Sequence, residues 1–168
     1  MPVRREASCR GGEVRLAVPP PTPQPSQLCD GAIGRKTAGG GGYAINLGAI
    51  AGSLEVLGRE SLAIWRAELE RMDDNGISRL ETSPAQRHFC RHCASALWLH
   101  DPTWPDLIHP FASAIDSELP VPPARVHLML RYKPSWVLPA IGPDDLCFDE
   151  YPAQSIEDWH RSRGLWVA

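Results

Sequence analysis

The 168-residue sequence contains no run of about 18 apolar residues, so it predicts no membrane-spanning segment. Long basic runs are also absent, since the pairs at residues 4–5 and 35–36 are too short to form a nucleic-acid-binding surface. The net charge of −3 agrees with this, and we expect neither nucleic acid nor a membrane as a partner. No Gly-Lys-Ser/Thr follows the glycine run at residues 39–42, which excludes a phosphate-binding P-loop.

The amino terminus has basic residues but no apolar stretch behind them, so we expect no secretory signal and a cytoplasmic protein. Five cysteines make an odd count, and disulfides are rare in a reducing compartment. Metal binding or thiol chemistry is therefore the expected use of these residues. The length and the hydrophobic fraction of 43% predict a single domain over residues 1–168 with a real core.

Local patterns predict a mostly β fold with one short helix near the carboxyl terminus, and 17 prolines argue against longer helices. Alternating or continuous apolar residues predict strands at residues 13–18, 43–47, 96–100 and 126–132. Residues 61–72 fit either a helix face or a strand, but the Asp-Asn-Gly at 74–76 favours a β-hairpin with residues 77–82. Ser155 is placed to cap a helix that begins at Ile156, and Gly164 to end it.

Cys90 and Cys93 form a CxxC pair. Two thiolates at this spacing can bind one Zn²⁺ from a tight turn whose backbone amides stabilise the sulfurs. The alternative, a thioredoxin-type redox pair, needs a helix that starts after a strand in a βαβ unit, which the short apolar segment after Cys93 does not offer. A tetrahedral zinc site needs two more ligands, and Cys9 is the first candidate.

Three cysteine-bearing segments resemble motifs of the glutathione-dependent formaldehyde-activating enzyme family, which also contains centromere-protein-V-type domains. Residues 7–15 (ASCRGGEVR) resemble its opening CxCGxVR, and residues 29–37 (CDGAIGRKT) its CxCxxCRK segment. Residues 89–97 (FCRHCASAL) resemble its FCxxCGSxL, with Ala94 in place of glycine. The segments occur in the family's order, and the similarity extends over nearly the whole chain.

The resemblance implies a zinc-bearing, mostly antiparallel β architecture of the Mss4-like β-tent type. It also implies two metal sites: a structural one from the first CxC and the later CxxC, and a catalytic one from the middle CxCxxC. In the best-known members the catalytic zinc handles a glutathione–aldehyde adduct, which makes them carbon–sulfur lyases. The implied partner is therefore a small molecule, an adduct of glutathione or of another thiol.

At the structural site, Gly11 occupies one of the family's cysteine positions and leaves Cys9, Cys90 and Cys93. We expect these three thiolates to hold one structural zinc ion. The fourth ligand is then water or a nearby imidazole, and His88 and His92 are the candidates.

At the catalytic site, Gly31 and Gly34 replace two cysteines and leave Cys29 alone. Glycine has no side-chain donor atom, and a single thiolate cannot hold zinc against cellular chelators. We therefore expect the catalytic zinc to be lost.

Cys29, His109 and Tyr43 are the candidate catalytic residues, with His109 the first choice as general acid or base in a zinc-free cleft. The simpler alternatives are that His109 is a neutral, buried imidazole bonded to the backbone and that Cys29 packs as a small hydrophobic residue. Three functions remain open: a lyase acting on a thiol adduct, an acid/base enzyme using the same cleft, and a non-catalytic zinc-binding domain. We further expect His127 to be solvated and Cys147 to fill the core.

Overall fold

The computed structural model describes residues 2–168. Over these residues the fold is mostly β, in strands that are short and joined by proline- and glycine-rich loops. The strands, in chain order, are β1 (Arg5–Ser8), β2 (Arg15–Val18), β3 (Gln27–Cys29), β4 (Ala44–Ile45), β5 (Ala49–Ile50), β6 (Glu55–Leu57), β7 (Leu62–Trp65), β8 (Glu68–Met72), β9 (Ser78–Thr82), β10 (Gln86–Cys90), β11 (Ala96–His100), β12 (Leu107–Pro110), β13 (Val126–Leu128) and β14 (Leu146–Cys147).

The two α-helices, α1 (Ala32–Ala38) and α2 (Ile156–Ser162), are each seven residues long. Short 3₁₀ turns lie at Ala51–Ser53, Arg59–Ser61, Ala112–Ala114 and Leu130–Tyr132. Within the described residues, no helix has the length and apolar character needed to cross a membrane.

The central sheet has the strand order β5-β12-β11-β10-β7, and each of its pairings is antiparallel. A second antiparallel sheet, β1-β2-β6, packs close to it, and the main core lies between them. This core holds small and branched apolar side chains with one large aromatic, Trp98, and it includes Cys9 and Cys90. Two of the candidate metal ligands are thus part of the core.

The third sheet has the order β14-β13-β3-β4 and contains both strand directions. β3 pairs antiparallel with β4, whereas β13 runs parallel to both β3 and β14. The predicted mostly β, mainly antiparallel class is confirmed, and these two parallel pairings add a detail that local patterns do not reveal.

The predicted hairpin is confirmed for residues 68–72, the second half of the 61–72 segment, which pair with residues 78–82. β8 pairs with β9 in register from Glu68–Thr82 to Met72–Ser78, around the Asp-Asn-Gly turn with Gly76 at φ +76°. Residues 62–65 instead form β7, which joins the central sheet beside β10. The 61–72 segment is therefore two strands that belong to different sheets.

The carboxyl-terminal helix is also confirmed. The Ser155 hydroxyl accepts a hydrogen bond from the Asp158 amide at 3.0 Å, which caps the first turn. Gly164, at φ +67°, follows the helix in the left-handed conformation that favours glycine. Trp159 and His160 on this helix are buried and anchor it to the domain.

Three local predictions are wrong. The strand predicted over 126–132 stops at Leu128, because Met129 adopts φ +60° and the chain then turns. His127 is buried, with 1% of its surface exposed, and its Nε2 lies 3.2 Å from the Asp145 carboxylate. Cys147 is exposed on the edge strand β14 and fills no core position.

Candidate metal centre and catalytic cleft

The sulfur atoms of Cys9, Cys90 and Cys93 all lie within 4.8 Å of one another. Sulfurs bound to one tetrahedral zinc at about 2.3 Å stand roughly 3.8 Å apart, so small side-chain movements bring all three into range. Among residues 2–168, this is the one group of three or more cysteine, histidine or acidic side chains with metal-binding geometry. The fold thus joins residues that are about 80 positions apart in the sequence.

Two tight turns hold the three cysteines in place. In the first turn, the Gly12 amide donates to the Cys9 carbonyl at 3.0 Å, with Gly12 at φ +82°. In the second, the Ala94 amide donates to the Cys90 carbonyl at 2.8 Å. Ala94 has φ +60°, a conformation that glycine adopts more readily, which explains the glycine in the family motif at this position.

Backbone amides donate hydrogen bonds to two of the sulfurs, and one hydroxyl lies against a sulfur. The Val14 amide donates to Cys9 Sγ at 3.3 Å and the Gly11 amide to Cys93 Sγ at 3.4 Å, while Ser95 Oγ lies 3.3 Å from Cys93 Sγ. The Ser95 contacts, with the Gly11 amide, lower the pKa of Cys93 to about 6, so this exposed thiol is readily ionised. Burial instead raises the pKa of Cys90, whose ionisation therefore needs a nearby cation such as a metal ion.

Neither imidazole considered as a fourth ligand joins the cluster. His88 stacks on Trp98 with ring centroids 4.4 Å apart, and burial lowers its pKa to about 4. His92 is exposed in the turn between the two cysteines and is not part of the metal-binding group. The three thiolates could hold a metal ion such as zinc at three of its four positions, and no described side chain of the group supplies the fourth.

The glycine at the missing fourth cysteine position faces this cluster. A Cβ atom built on Gly11 would lie 3.5 Å from Cys93 Sγ, with no close backbone contact. Gly11 does not have a positive φ, so its backbone accepts other residues.

We predict that Gly11→Cys completes a four-thiolate site and binds zinc more tightly than the parent protein. A competition titration with a chromogenic zinc chelator measures this, and at least a tenfold gain in affinity is expected because a thiolate replaces water. Gly12→Cys is the matched control, since its Cβ contacts nothing within 4 Å and its φ of +82° disfavours a side chain. An unchanged affinity in Gly11→Cys would show that the fourth position lies elsewhere.

Cys29 lies at the end of β3, immediately before α1, and is half-buried. Burial raises the pKa of its thiol, opposed by the Gly31 amide and by the positive charge of Arg87. A Cβ atom on Gly31 would lie 3.4 Å from Cys29 Sγ, while one on Gly34 would meet only the Ala44 methyl at 3.5 Å. In the part of the chain that the structure describes, Cys29 belongs to no group of three or more cysteine, histidine or acidic side chains with metal-binding geometry, so these residues do not fit a zinc ion.

Cys29 lines a cleft of about 950 Å³, here called the Cys29 cleft, whose lining also includes Arg87, Leu99 and His109. The lining also includes aromatic and aliphatic side chains, among them Phe111, Trp104, Tyr132, Tyr151, Leu128 and Met129. A cleft of this size and apolar character, with a few polar groups, is typical of a small-molecule site. Of the three candidate catalytic residues, Cys29 and His109 line it, whereas the described lining does not include Tyr43.

His109 is held in one tautomer by the backbone. Its Nδ1 lies 3.1 Å from the Leu47 carbonyl, which can only accept, so Nδ1 carries the proton and Nε2 carries the free lone pair. Burial lowers the pKa of His109, so the imidazole is neutral at pH 7. This matches the simpler alternative of a buried neutral histidine bonded to the backbone, and it also leaves Nε2 available as a base.

Arg87 is the residue of this cleft that local sequence patterns do not single out. It is the second residue of β10, where one arginine in a partly exposed strand is unremarkable on its own. Only the sheet register places it in the cleft with His109, through neighbours that are 12 and 22 residues away from it in the sequence.

Comparison with known proteins places the chain in a family. No protein-family model matches it. A protein from Halomonas elongata is 53% identical over 160 residues, which covers 95% of this chain and 96% of the relative. The name of that relative gives glutathione-dependent formaldehyde activation as its provisional function. The chain belongs to the glutathione-dependent formaldehyde-activating enzyme family.

One solved structure also resembles the fold. A crystal structure of a Rhodobacter sphaeroides protein superposes with a TM-score of 0.45 at 16% identity. The alignment covers 85% of this chain and 98% of that protein. The family assignment rests on the full-length sequence identity and not on this likeness.

Proposed function

We propose that this protein is a carbon–sulfur lyase that acts on the adduct of a thiol, such as glutathione, with a small aldehyde, without a zinc ion in its cleft. The observation that carries the proposal is the Cys29 cleft, which retains a base at His109 but has glycine at two family cysteine positions. The relative from Halomonas elongata supports glutathione as the thiol.

The reaction needs a base more than it needs a nucleophile. In a hemithioacetal, removal of the hydroxyl proton lets the C=O bond form while the C–S bond breaks, and the electron pair leaves with the sulfur. His109 Nε2 accepts that proton and returns it to the departing thiolate, so no atom is gained or lost. Run backwards, the same steps join the thiol to the aldehyde.

Cys29 has a supporting role in this scheme. Because burial raises the pKa of its thiol, Cys29 stays protonated at pH 7 and is a poor nucleophile. A protonated thiol can donate a hydrogen bond to the developing charge on the substrate. Tyr43, with 37% of its surface exposed outside the described cleft lining, has no part in it.

We also propose that the three-cysteine cluster holds one structural zinc ion. The convergence of the sulfurs and the amides directed at them support this, because both are features of thiolate zinc sites. This ion would tie the amino-terminal turn to the β10–β11 turn and would take no part in the chemistry.

The proposal is tested with His109→Gln, which keeps a polar side chain but removes the base. Exchange between free and glutathione-bound formaldehyde, followed by NMR magnetisation transfer, should slow by about 10²–10⁴-fold relative to the parent. His100→Gln is the control, because His100 lies on the adjacent strand but is not among the described cleft-lining residues. A parent protein that binds glutathione without accelerating exchange would instead favour a non-catalytic binding domain.

The pH profile gives a second readout of the same residue. His109 must be neutral to act as a base, and burial lowers its pKa below the ordinary value of 6.5. The midpoint of the decline of exchange with falling pH should therefore lie below 6.5, and the decline should be absent in His109→Gln. A decline that begins well above pH 7 would assign the base to another group.

A further inference from the structure

Four side chains form a row across one face of the central sheet. Trp65 on β7 pairs with Arg87 on β10, Arg87 pairs with Leu99 on β11, and Leu99 pairs with His109 on β12. Directly opposed residues in antiparallel strands point to the same face. Arg87 and His109 therefore project into the Cys29 cleft from one face, with their backbones two strand spacings, or about 10 Å, apart.

The guanidinium of Arg87 is half-buried and has no acidic partner. Its Nη1 is buried without a hydrogen-bond acceptor, and none of the ion pairs formed within residues 2–168 includes it. Its guanidinium carbon lies 6.0 Å from the Trp65 ring centroid, which gives the planar group a wall on one side. A buried arginine normally has a carboxylate or phosphate against its planar fork, because an uncompensated buried charge is costly.

The charges around the cleft decide which anion fits. Arg87 is the one lysine or arginine in the described lining, whereas Glu70 and Glu150 also line the cleft. Glu150 forms an ion pair at 2.8 Å with Arg131, which is not among the described lining residues. A lining with one cation and two acidic side chains suits a singly charged carboxylate better than a doubly charged phosphate, which the acidic groups would repel more strongly.

We infer that Arg87 is a specificity-determining residue of the Cys29 cleft, which binds a carboxylate on the thiol half of the substrate. This inference rests on the proposed function for the position of the reacting carbon at His109. In a peptide thiol, the distance from the cysteinyl sulfur to the carboxylate of the following residue is roughly 6 Å. That distance fits between two side chains that project from strands about 10 Å apart. A small thiol without an acid group leaves Arg87 unpaired.

The test uses S-methylglutathione, a stable thioether whose binding is measured by calorimetry without turnover, and its dimethyl ester. The parent should bind the acid about 10–100-fold more tightly than Arg87→Met does, because a charge-assisted hydrogen bond is lost. Arg87→Lys, which keeps the charge but not the fork, should fall between them. The affinity of the parent for the ester should equal the affinity of Arg87→Met for the acid. Arg87→Met should bind the acid and the ester equally well.

Arg15→Met is the matched control, since Arg15 is exposed on β2 and is not among the described residues that line the cleft. Equal binding of acid and ester by the parent, or no detectable binding of either, overturns the inference. The ester comparison needs only the parent protein, so it holds even where Arg87→Met fails to fold. If the protein catalyses exchange but binds acid and ester equally, the proposed role of Arg87 is wrong and the lyase proposal stands. If it binds the acid selectively but does not catalyse exchange, the lyase proposal is wrong and the role of Arg87 stands.

Discussion

Replacing Cys90 by serine is expected to release the bound metal and unfold most of the protein at physiological temperature. Cys90 has 0% of its surface exposed and packs in the same core cluster as Cys9, Leu97 and Trp98. Metal bound at structural thiolate sites contributes on the order of 10 kcal/mol to folding, and a domain of this kind is stable by only about 5–15 kcal/mol. A net loss of even about 5 kcal/mol lowers the thermal midpoint by roughly 10–20 °C.

Circular dichroism melting of parent and variant, each with its zinc content measured, provides the test. Cys147→Ser is the matched control, since Cys147 is an exposed cysteine on an edge strand and belongs to no metal-binding group of the described residues. Cys147→Ser should have the same thermal midpoint and the same zinc content as the parent. If Cys90→Ser also had the thermal midpoint of the parent, the three-cysteine cluster would not be a structural zinc site.

Introducing cysteines at Gly31 and Gly34, where the family motif has them, is expected to add a second zinc ion. Gly31 has φ −58° and Gly34 lies within α1, so neither backbone conformation depends on glycine. A Cβ on Gly31 would stand 3.4 Å from Cys29 Sγ, and one on Gly34 would meet only a methyl group at ordinary contact distance. Gly31→Cys with Gly34→Cys should therefore raise zinc from one to two ions per chain.

The second ion should also raise the rate of adduct exchange, by at least about tenfold, because a Lewis acid stabilises the developing oxyanion. Gly40→Cys with Gly41→Cys is the control: these residues belong to the same glycine-rich stretch, but a Cβ on either meets nothing within 4 Å. The control should stay at one zinc. Suppose instead that the double variant keeps one zinc ion per chain and exchanges the adduct at the rate of the parent. In that case glycine at positions 31 and 34 would not be the reason that the cleft binds no zinc.

Much of the candidate metal centre could be predicted from the sequence. The CxxC turn needs only local geometry. Cys9 is the first candidate for a further ligand, and the family resemblance supports that choice, because spacing alone cannot bring residues about 80 positions apart together. The hairpin and the capped carboxyl-terminal helix were predictable for a similar reason, since their turn and cap signals act within four residues.

The errors occur where distant contacts override a local pattern. His127 alternates with apolar neighbours as a solvated residue would, but it is buried because Asp145, 18 residues later, lies against its ring. The Asp145 carboxylate is fixed in turn by amides of Arg125 and Gly142. α1 was not predicted, because its sequence contains glycine and its first turn has no side-chain cap.

The cleft was only partly predictable. Cys29 and His109 were selected by family position and residue type, and the structure places both in one cleft. Arg87 was not selected, because its importance lies in the register of three strands and in the lack of an acidic partner. Neither property is visible in a single sequence.

Zinc stoichiometry tests the central claim most directly. The protein is purified without an affinity tag that binds metal, dialysed against buffer with a weak chelator, and measured by inductively coupled plasma mass spectrometry against its amino-acid content. One zinc per chain is the expected result, lost in Cys90→Ser and kept in Cys29→Ser. Two ions per chain, or one ion that Cys29→Ser releases, would contradict a retained structural site beside a zinc-free cleft.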